Sequence, residues 1–593
     1  MKSLLLKTVA ATAMMVAAAN GAWAESLDLG TIAGSPINGS WNWTLTEAIG
    51  IRTQNPSCAL TGDPSSAGCG ATANTGVWSP GDNGNLNYHK GQLFTAQSKA
   101  TTELLLHAPA EGLDFLGRGT FFYDPAAQQT QRTDFDQSSF RHAVLNAQLL
   151  DLWVSKKFDI ADHDGRIRVG NQVINWGESL FLGGGINATN ALDVQKSLVP
   201  GTQIKEYVLP APIISIAGNV AKGLNAEAYY QVAYNKNVYP AIGSYWSVAD
   251  FVGPGIPDTI TVNKNNYNFY GLDPTAQRRF GSDGSLTAPL LGEKTPRNDG
   301  QWGTSLHYKP EGSVVDWGLY YLHYHDKAPV LNQVGDSAAG AGIDFQASYR
   351  EDRDLIGLST NFPLGDWALG AEFAYRPRDA IALSGCFAPG QKIDANTNSN
   401  PVTSLNCPMW KDKERHDLHL TALLQLSPTD YPYILNPLGA ETAFLSIEVA
   451  GTHYTGIKKG GITQTVEGKT VVQLPDAGYT TWLDSSGLPR GVGSEYSAGA
   501  VIDFNWTYDG SLIPGWQVTP GITYFNAFLG NTPNFAATYL QGAQSTNFYI
   551  LFNQNPAVWQ GGINYTAYYG GQEQSKQPYS DRNFIGAFIS RNF

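Results

Sequence analysis

WQGGINYTAYY, residues Trp559 to Tyr569, alternates with a period of two. Trp559, Gly561, Ile563, Tyr565, Ala567 and Tyr569 fall on one face, and Gln560, Gly562, Asn564 and Thr566 fall on the other. One face is apolar with an aromatic at each end, and the other is small and polar. Ten steps at about 3.3 Å per residue make about 33 Å of strand. A tilt near 40° leaves about 25 Å of depth, the height of the apolar band of an outer-membrane barrel. Such a strand fits a wall with lipid on one side and water on the other.

The same period recurs along the chain. Tyr496, Ala498, Ala500, Ile502, Phe504 and Trp506 share one face, with Ser497, Gly499, Asp503 and Asn505 opposite. Tyr230, Val232 and Tyr234 face lipid in the next reading, with Glu227, Gln231 and Asn235 inward. Ile167, Val169 and Val173 face out, and Arg166, Arg168 and Gln172 face in. About 18 such segments occur, and a missed or doubled pair would make about 16 or 20. They lie near 39–52, 97–109, 113–124, 143–158, 165–175, 206–218, 223–235, 301–310, 314–325, 352–362, 367–377, 414–427, 441–454, 494–508, 516–528, 545–553, 558–570 and 583–593. Pro210 and Pro212 interrupt the sixth, which places them at a bulge or rim.

The connections alternate too. Pro109-Ala110-Glu111-Gly112, Lys309-Pro310-Glu311-Gly312 and Pro363-Leu364-Gly365-Asp366 are short, and those after odd-numbered strands are mostly long. Bacterial barrels pair short periplasmic turns with long outer loops. The fold class is therefore all-β, a transmembrane antiparallel β-barrel, with residues 25–593 as one domain. A secreted sandwich or propeller would not need aromatics at fixed depth.

The start of the chain agrees. Lys2 and Lys7, an apolar stretch from Val9 to Ala19, and Ala22-Trp23-Ala24 make residues 1–24 a signal peptide. FIGAFISRNF ends on Phe593, the residue expected to engage the barrel-assembly machinery. The expected location is the outer membrane of a Gram-negative bacterium, with its lipid as a partner. The formal net charge of −13 argues against nucleic acid. An oxidising route makes two loop disulfides the expected state, Cys58–Cys69 and Cys386–Cys407.

RVGNQVINWGES (Arg168–Ser179), FLGGGINATNALD (Phe181–Asp193) and PGTQIKEYVLPAP (Pro200–Pro212) stand together. With DNGNLNYHKG (Asp82–Gly91), DGQWG (Asp299–Gly303), YYGGQ (Tyr568–Gln572) and SDRNF (Ser580–Phe584), the chain resembles a proteobacterial outer-membrane family catalogued as domain of unknown function 1302. The resemblance spans nearly the whole mature chain, with Arg591 a departure where barrels usually carry an aromatic. It implies an outer-membrane barrel that handles hydrophobic compounds or lipids. The partners it implies are a periplasmic lipoprotein-carrier-like protein and an inner-membrane exporter.

Inward positions carry both charges: Arg118, Arg166, Arg168 and Arg376 against Asp114, Glu227, Glu372, Asp417, Glu448 and Asp503. Facing rows of opposite sign orient polar solutes, or pin an inserted loop. Residues 176–205, the third outer loop, carry Leu180, Phe181, Leu182, Ile186 and Leu192 around Gly183-Gly184-Gly185. Those apolar side chains find burial inside the lumen, so this loop is expected to fold inward and narrow the pore, with a cap over the mouth as the alternative. The expected constriction comprises Arg118, Arg166, Arg168, Gln172, Trp176, Glu178, Phe181 and Glu227, with Arg166 and Arg168 fixing loop carbonyls or Glu178.

No catalytic constellation, cofactor or metal is expected. His307, His323 and His325 have one parity and are the strongest candidate for a lumenal metal or acid/base cluster, against ordinary wall residues. His416 and His419 differ in parity and cannot share a face. Gly468-Lys469-Thr470 lacks the earlier glycine of a phosphate loop. The leading reading is a channel or transfer barrel, without enzymatic activity, for small hydrophobic or amphipathic molecules. A porin for polar solutes and a docking partner of a periplasmic carrier are the alternatives, and an apolar patch in the lumen favours the first.

Overall fold

Alternating strands with one apolar face cannot bury that face alone, and their edge groups need partners. Closing the sheet on itself satisfies every edge, and that is the architecture found. The structure, a computed structural model, describes residues 25–593 except 33, 58–59, 61–82, 161–162, 249, 251, 257–258, 263–285, 337–341, 391–404, 479–480, 484–488, 556–557 and 573–574.

Eighteen antiparallel strands form the barrel. They are β1 (Ser35–Arg52), β2 (Leu93–Ala108), β3 (Leu113–Tyr123), β4 (Leu145–Ile160), β5 (His163–Gln172), β6 (Ala211–Ala221), β7 (Leu224–Gln231), β8 (Gln301–Tyr308) and β9 (Asp316–Tyr324). The second half is β10 (Arg353–Leu364), β11 (Trp367–Ala382), β12 (Trp410–Leu426), β13 (Thr442–Tyr454), β14 (Tyr496–Asp509), β15 (Trp516–Leu529), β16 (Ala543–Gln554), β17 (Trp559–Gln572) and β18 (Phe584–Asn592). Each pairs with its sequence neighbour, and β18 closes on β1 from Thr44 opposite Asn592 to Arg52 opposite Phe584. Every expected segment corresponds to one of these strands.

An outward belt follows from the alternation. Leu149, Val154, Val169, Ile216, Leu319, Leu358, Leu420, Phe548, Ile563 and Ile589 all stand exposed on it. A continuous apolar ring of that kind has no place in water and matches a bilayer. At its lower edge Arg591 lies over Phe593 at 4.5 Å and over Trp559 at 5.3 Å, so the arginine that departs from the family pattern is clasped by two girdle aromatics.

The short turns use left-handed glycine where the chain reverses within a few residues, as at Gly112 (φ 62°) after Pro109–Glu111 and at Gly365 (φ 58°). Three features depart from the expected pattern. The sixth strand begins at Ala211, because Ile204–Tyr207 is a helical turn; Pro212 takes the rim position opposite Asn171. The seventh ends at Gln231, and Tyr234 turns away from lipid to donate to the Asp326 carbonyl at 2.7 Å. An additional strand, Glu25–Ile32, pairs with β1 below the end of β18.

The long loops are themselves structured. Thr259–Val262, Leu286–Lys294, Gly342–Ser348, Val330–Asp336 and Cys407–Pro408 form one sheet, built from three different loops. Cys386 and Cys407 are disulfide-bonded. The expected pair Cys58–Cys69 lies outside the described residues, as does the expected signal peptide.

Candidate functional site

The loop after β5 leaves the wall at Gln172 and crosses the lumen. Its entry is apolar: Ile174, Trp176 and Ile186 bury against Ile213, Tyr229, Tyr320, Leu322 and Leu355 on inward positions of β6 to β10. The Trp176 indole donates to Glu227 Oε2 at 2.7 Å, and its ring packs on Tyr229 and Tyr320 with centroids at 5.2 and 5.8 Å. A buried indole N–H needs such an acceptor.

Two wall carboxylates then gather the loop backbone. Glu372 on β11 accepts N–H bonds from Glu178 (2.5 Å), Ser179 (3.2 Å) and Ile186 (2.9 Å). Glu448 on β13 accepts from Leu180 (3.2 Å), Phe181 (2.5 Å) and Leu182 (3.0 Å), and from His419 Nδ1 at 2.8 Å. The loop carbonyls are held by a cation: Arg376 donates to Gly184 O at 2.8 Å and Gly185 O at 2.7 Å. Arg376 is fixed in turn by Asp417 (2.6 Å), which also pairs with Arg415 (2.9 Å). Hydrogen bonds to charged groups contribute about 1.5–3 kcal/mol each, although neighbours in one network do not add.

This close approach explains the glycine run. A Cβ on Gly185 would stand 1.6 Å from Glu372 Oε1, so no side chain fits there. The far limb of the loop returns to β2. Glu206 accepts from Lys99 Nζ and Thr101 Oγ1, each at 2.6 Å, and from the Gln203 N–H at 2.8 Å. Burial works to raise the Glu206 carboxyl, but the Lys99 ammonium and these donors outweigh it and hold it below the usual range.

The expected constriction residues divide into groups. Trp176, Glu178, Phe181 and Glu227 belong to the loop or its anchors. Gln172 is fully buried and braces β5 on β6 through Ile213 O (2.9 Å) and Ser215 Oγ (3.1 Å). Arg118 is saturated by Glu103 (2.7 Å) and Asp151 (2.5 Å). Arg166 and Arg168 face the lumen but do not hold the loop. Glu178 meets Asn361 at 3.0 Å instead, and Arg376 serves the carbonyls, because the loop runs across to the opposite wall rather than back over its own strand.

The apolar expectation holds in part. Leu182 and Ile186 are buried, whereas Leu180 (46% exposed), Phe181 (48%) and Leu192 (40%) remain open to solvent. Backbone pinning by Glu448 fixes Leu180 and Phe181 at the tip while leaving their side chains uncovered.

The three histidines do not converge. Trp302 pairs with His323 and His307 with Gly318, so facing positions on β8 and β9 have opposite parity. His307 therefore points in, to the Tyr320 hydroxyl at 3.1 Å, and His323 points out to the rim carboxylate of Asp354 at 2.8 Å. His419 is inward and His416 outward, stacked on Tyr375, as their parity requires. No group of three metal-ligating side chains occurs among the described residues. Gly468 is the tip of a hairpin between Ile462–Val466 and Lys469–Gln473, with no helix following it.

The profile of the family described as "Protein of unknown function (DUF1302)" matches residues 5–593. No curated protein matches the chain. Among solved structures, it is similar to OpdK with vanillate from Pseudomonas aeruginosa, at 9% identity and TM-score 0.40, over 93% of this chain and 98% of that one. A BenF-like porin from Pseudomonas fluorescens Pf-5 is similar at 10% identity and TM-score 0.41, over 94% and 98%. OccAB1 of Acinetobacter baumannii is similar at 11% identity and TM-score 0.40, over 96% and 99%.

Proposed function

Starting from the fact that the chain belongs to the DUF1302 family, we propose that it is an outer-membrane channel for small amphipathic molecules. The observation that carries this reading is the pinned loop itself. It reaches across to Glu372 and Glu448 and leaves Leu180 and Phe181 exposed on a backbone that those charged wall groups hold. Water-exposed apolar side chains at a constriction favour a solute with an apolar part, and the charged rows favour one with a polar head. Passage is binding and diffusion past the loop, without covalent chemistry. A transfer role with a periplasmic carrier and an inner-membrane exporter remains compatible with that route.

Deletion of Phe181–Asp193 tests it. The deletion is expected to enlarge single-channel conductance in planar bilayers and to speed uptake of a bulky probe. Unchanged conductance and uptake in a correctly assembled deletion would overturn the constriction.

A further inference from the structure

Positive charge is confined to one part of the lumen wall. The strands β13 to β18 carry two basic side chains, and both turn away from the lumen: His453 stacks on Tyr496 at 4.4 Å, and Arg591 lies over Trp559 and Phe593. No charged residue of either sign occurs on β15, β16 or β17. Apart from Asp509, exposed at the turn, the carboxylates of this arc are Glu448 and Asp503. Glu448 is answered by the His419 ring and the loop N–H groups. Asp503 is different, because all its partners are neutral: Thr523 Oγ1 at 2.7 Å, Asn505 Nδ2 at 2.9 Å, and the Tyr549 hydroxyl at 3.1 and 3.0 Å from its two oxygens. Those donors orient the carboxylate and leave its charge in place.

The neighbouring elements bring no cation to it. On β11 and β12, Arg376 and Arg415 are paired with Asp417, and His419 is bound to Glu448. The loop segment 176–186 contains no lysine or arginine. Asp503 makes no ion pair among the described residues and is half-buried. It also stands beside the pinned tip. Ser446 is opposite Asp503 and Glu448 is opposite Val501, so Asp503 lies one inward step, about 6.6 Å along the strand, to the short-turn side of the carboxylate that holds Leu180 to Leu182. Two rings flank it. Tyr549 lies across Gly521, where a Cβ would stand 2.3 Å from the ring. Phe444 shares the inward row of Ser446 and Glu448, faces Asn505 across the β13–β14 pair, and is 37% exposed. A ring face beside a carboxylate adds to its attraction for a cation.

We infer that Asp503, with Tyr549 and Phe444, forms a binding site for the ammonium group of an amphipathic cation, on the short-turn side of the loop tip. The ammonium displaces the Asn505 amide from Asp503 Oδ1, exchanging a neutral donor for a charged one, and the apolar body of the solute lies along Phe444. The inference rests on the channel reading and narrows its substrate class from amphipathic molecules to amphipathic cations.

Two probes of similar shape separate charge from bulk: 2-phenylethylammonium and 2-phenylethanol, added to the short-turn side of the full-length barrel in planar bilayers at neutral pH. The ammonium is expected to produce transient blockades that the alcohol at the same concentration does not. D503N should weaken the apparent affinity for the ammonium by about tenfold or more, the value of one charge-assisted bond. F444A should weaken it too, while leaving the preference for ammonium over alcohol. Heat-modifiable gel mobility reports assembly of each variant, and F444A carries the test should D503N fail to assemble. Equal block by ammonium and alcohol, or ammonium block unchanged in assembled D503N or, failing that variant, in F444A, overturns the cation site and leaves the channel standing. A wild-type barrel that conducts under no condition overturns the channel reading and this inference with it.

Discussion

Glu448→Gln is the sharpest perturbation of the constriction. The carboxylate accepts three loop N–H groups and the His419 ring, and its side chain is fully buried. All three loop N–H groups meet Oε2 and the His419 ring meets Oε1, so an amide oxygen can take the place of Oε2 but receives the three without a charge. Its NH2 group then stands against the His419 ring. Each loop bond falls from charge-assisted to neutral strength, a loss of about 1 kcal/mol, so three together lose about 3 kcal/mol if they act independently. At about 1.4 kcal/mol per decade, the fraction of time that the tip is detached rises by about a hundredfold. The barrel ladder is untouched, so heat-modifiable mobility should be preserved. Single-channel recordings should show new open-state noise and longer visits to a larger conductance. Quiet wild-type conductance in assembled E448Q, and again in E372Q/E448Q, would refute the view that wall carboxylates hold the loop, and would assign that role to Leu182 and Ile186.

Other outcomes follow from the same geometry. Gly185→Ala places a Cβ against Glu372 Oε1, so it should displace the loop and, like E448Q, lengthen visits to a larger conductance. Cys386→Ser/Cys407→Ser removes a crosslink that closes 21 residues of an outer loop, a local cost of about 2–4 kcal/mol; proteolysis of that loop should quicken while the barrel stays intact. Asp124, just above β3, is pushed up to about 6 by burial, although Thr95 and the N–H groups of Ala96, Ala126 and Ala127 donate to it. Its folded carboxyl holds a proton more tightly than the unfolded one does. Its contribution is therefore present at low pH and lost as pH rises through about 6. Relative to Asp124→Asn, the wild type should gain thermal stability between pH 7 and pH 4, measured by gel mobility after heating; a flat difference would sink the assignment.

Much of the wall was legible because a lipid-facing strand has one rule with a period of two. Trp559 to Tyr569 and its counterparts carry that rule in their own residues. The inward parity of Arg376, Glu372, Asp417 and Glu448 was readable for the same reason. Their partners were not, since which carboxylate meets which loop N–H depends on the register of β10 to β13, and no single strand encodes that register. The histidines show the same limit: His307 and His323 share a parity, and only the pairing of Trp302 with His323 reveals that they face apart. The seventh strand's end at Gln231 was hidden because Tyr234 fits the lipid pattern, yet is recruited by a loop carbonyl far along the chain.

The anchoring of the third loop also dictates an order of assembly. Its tip depends on side chains that lie 186 to 268 residues further along the chain, Glu372 and Glu448. Those groups reach their places only when β11 and β13 have joined the wall. Until then residues 178–186 have no acceptor for their N–H groups, and the early sheet must carry them untethered. The aperture is therefore set last, after the far wall is laid down. Any intermediate arrested before β13 is inserted would be an unnarrowed trough, leakier than the finished barrel.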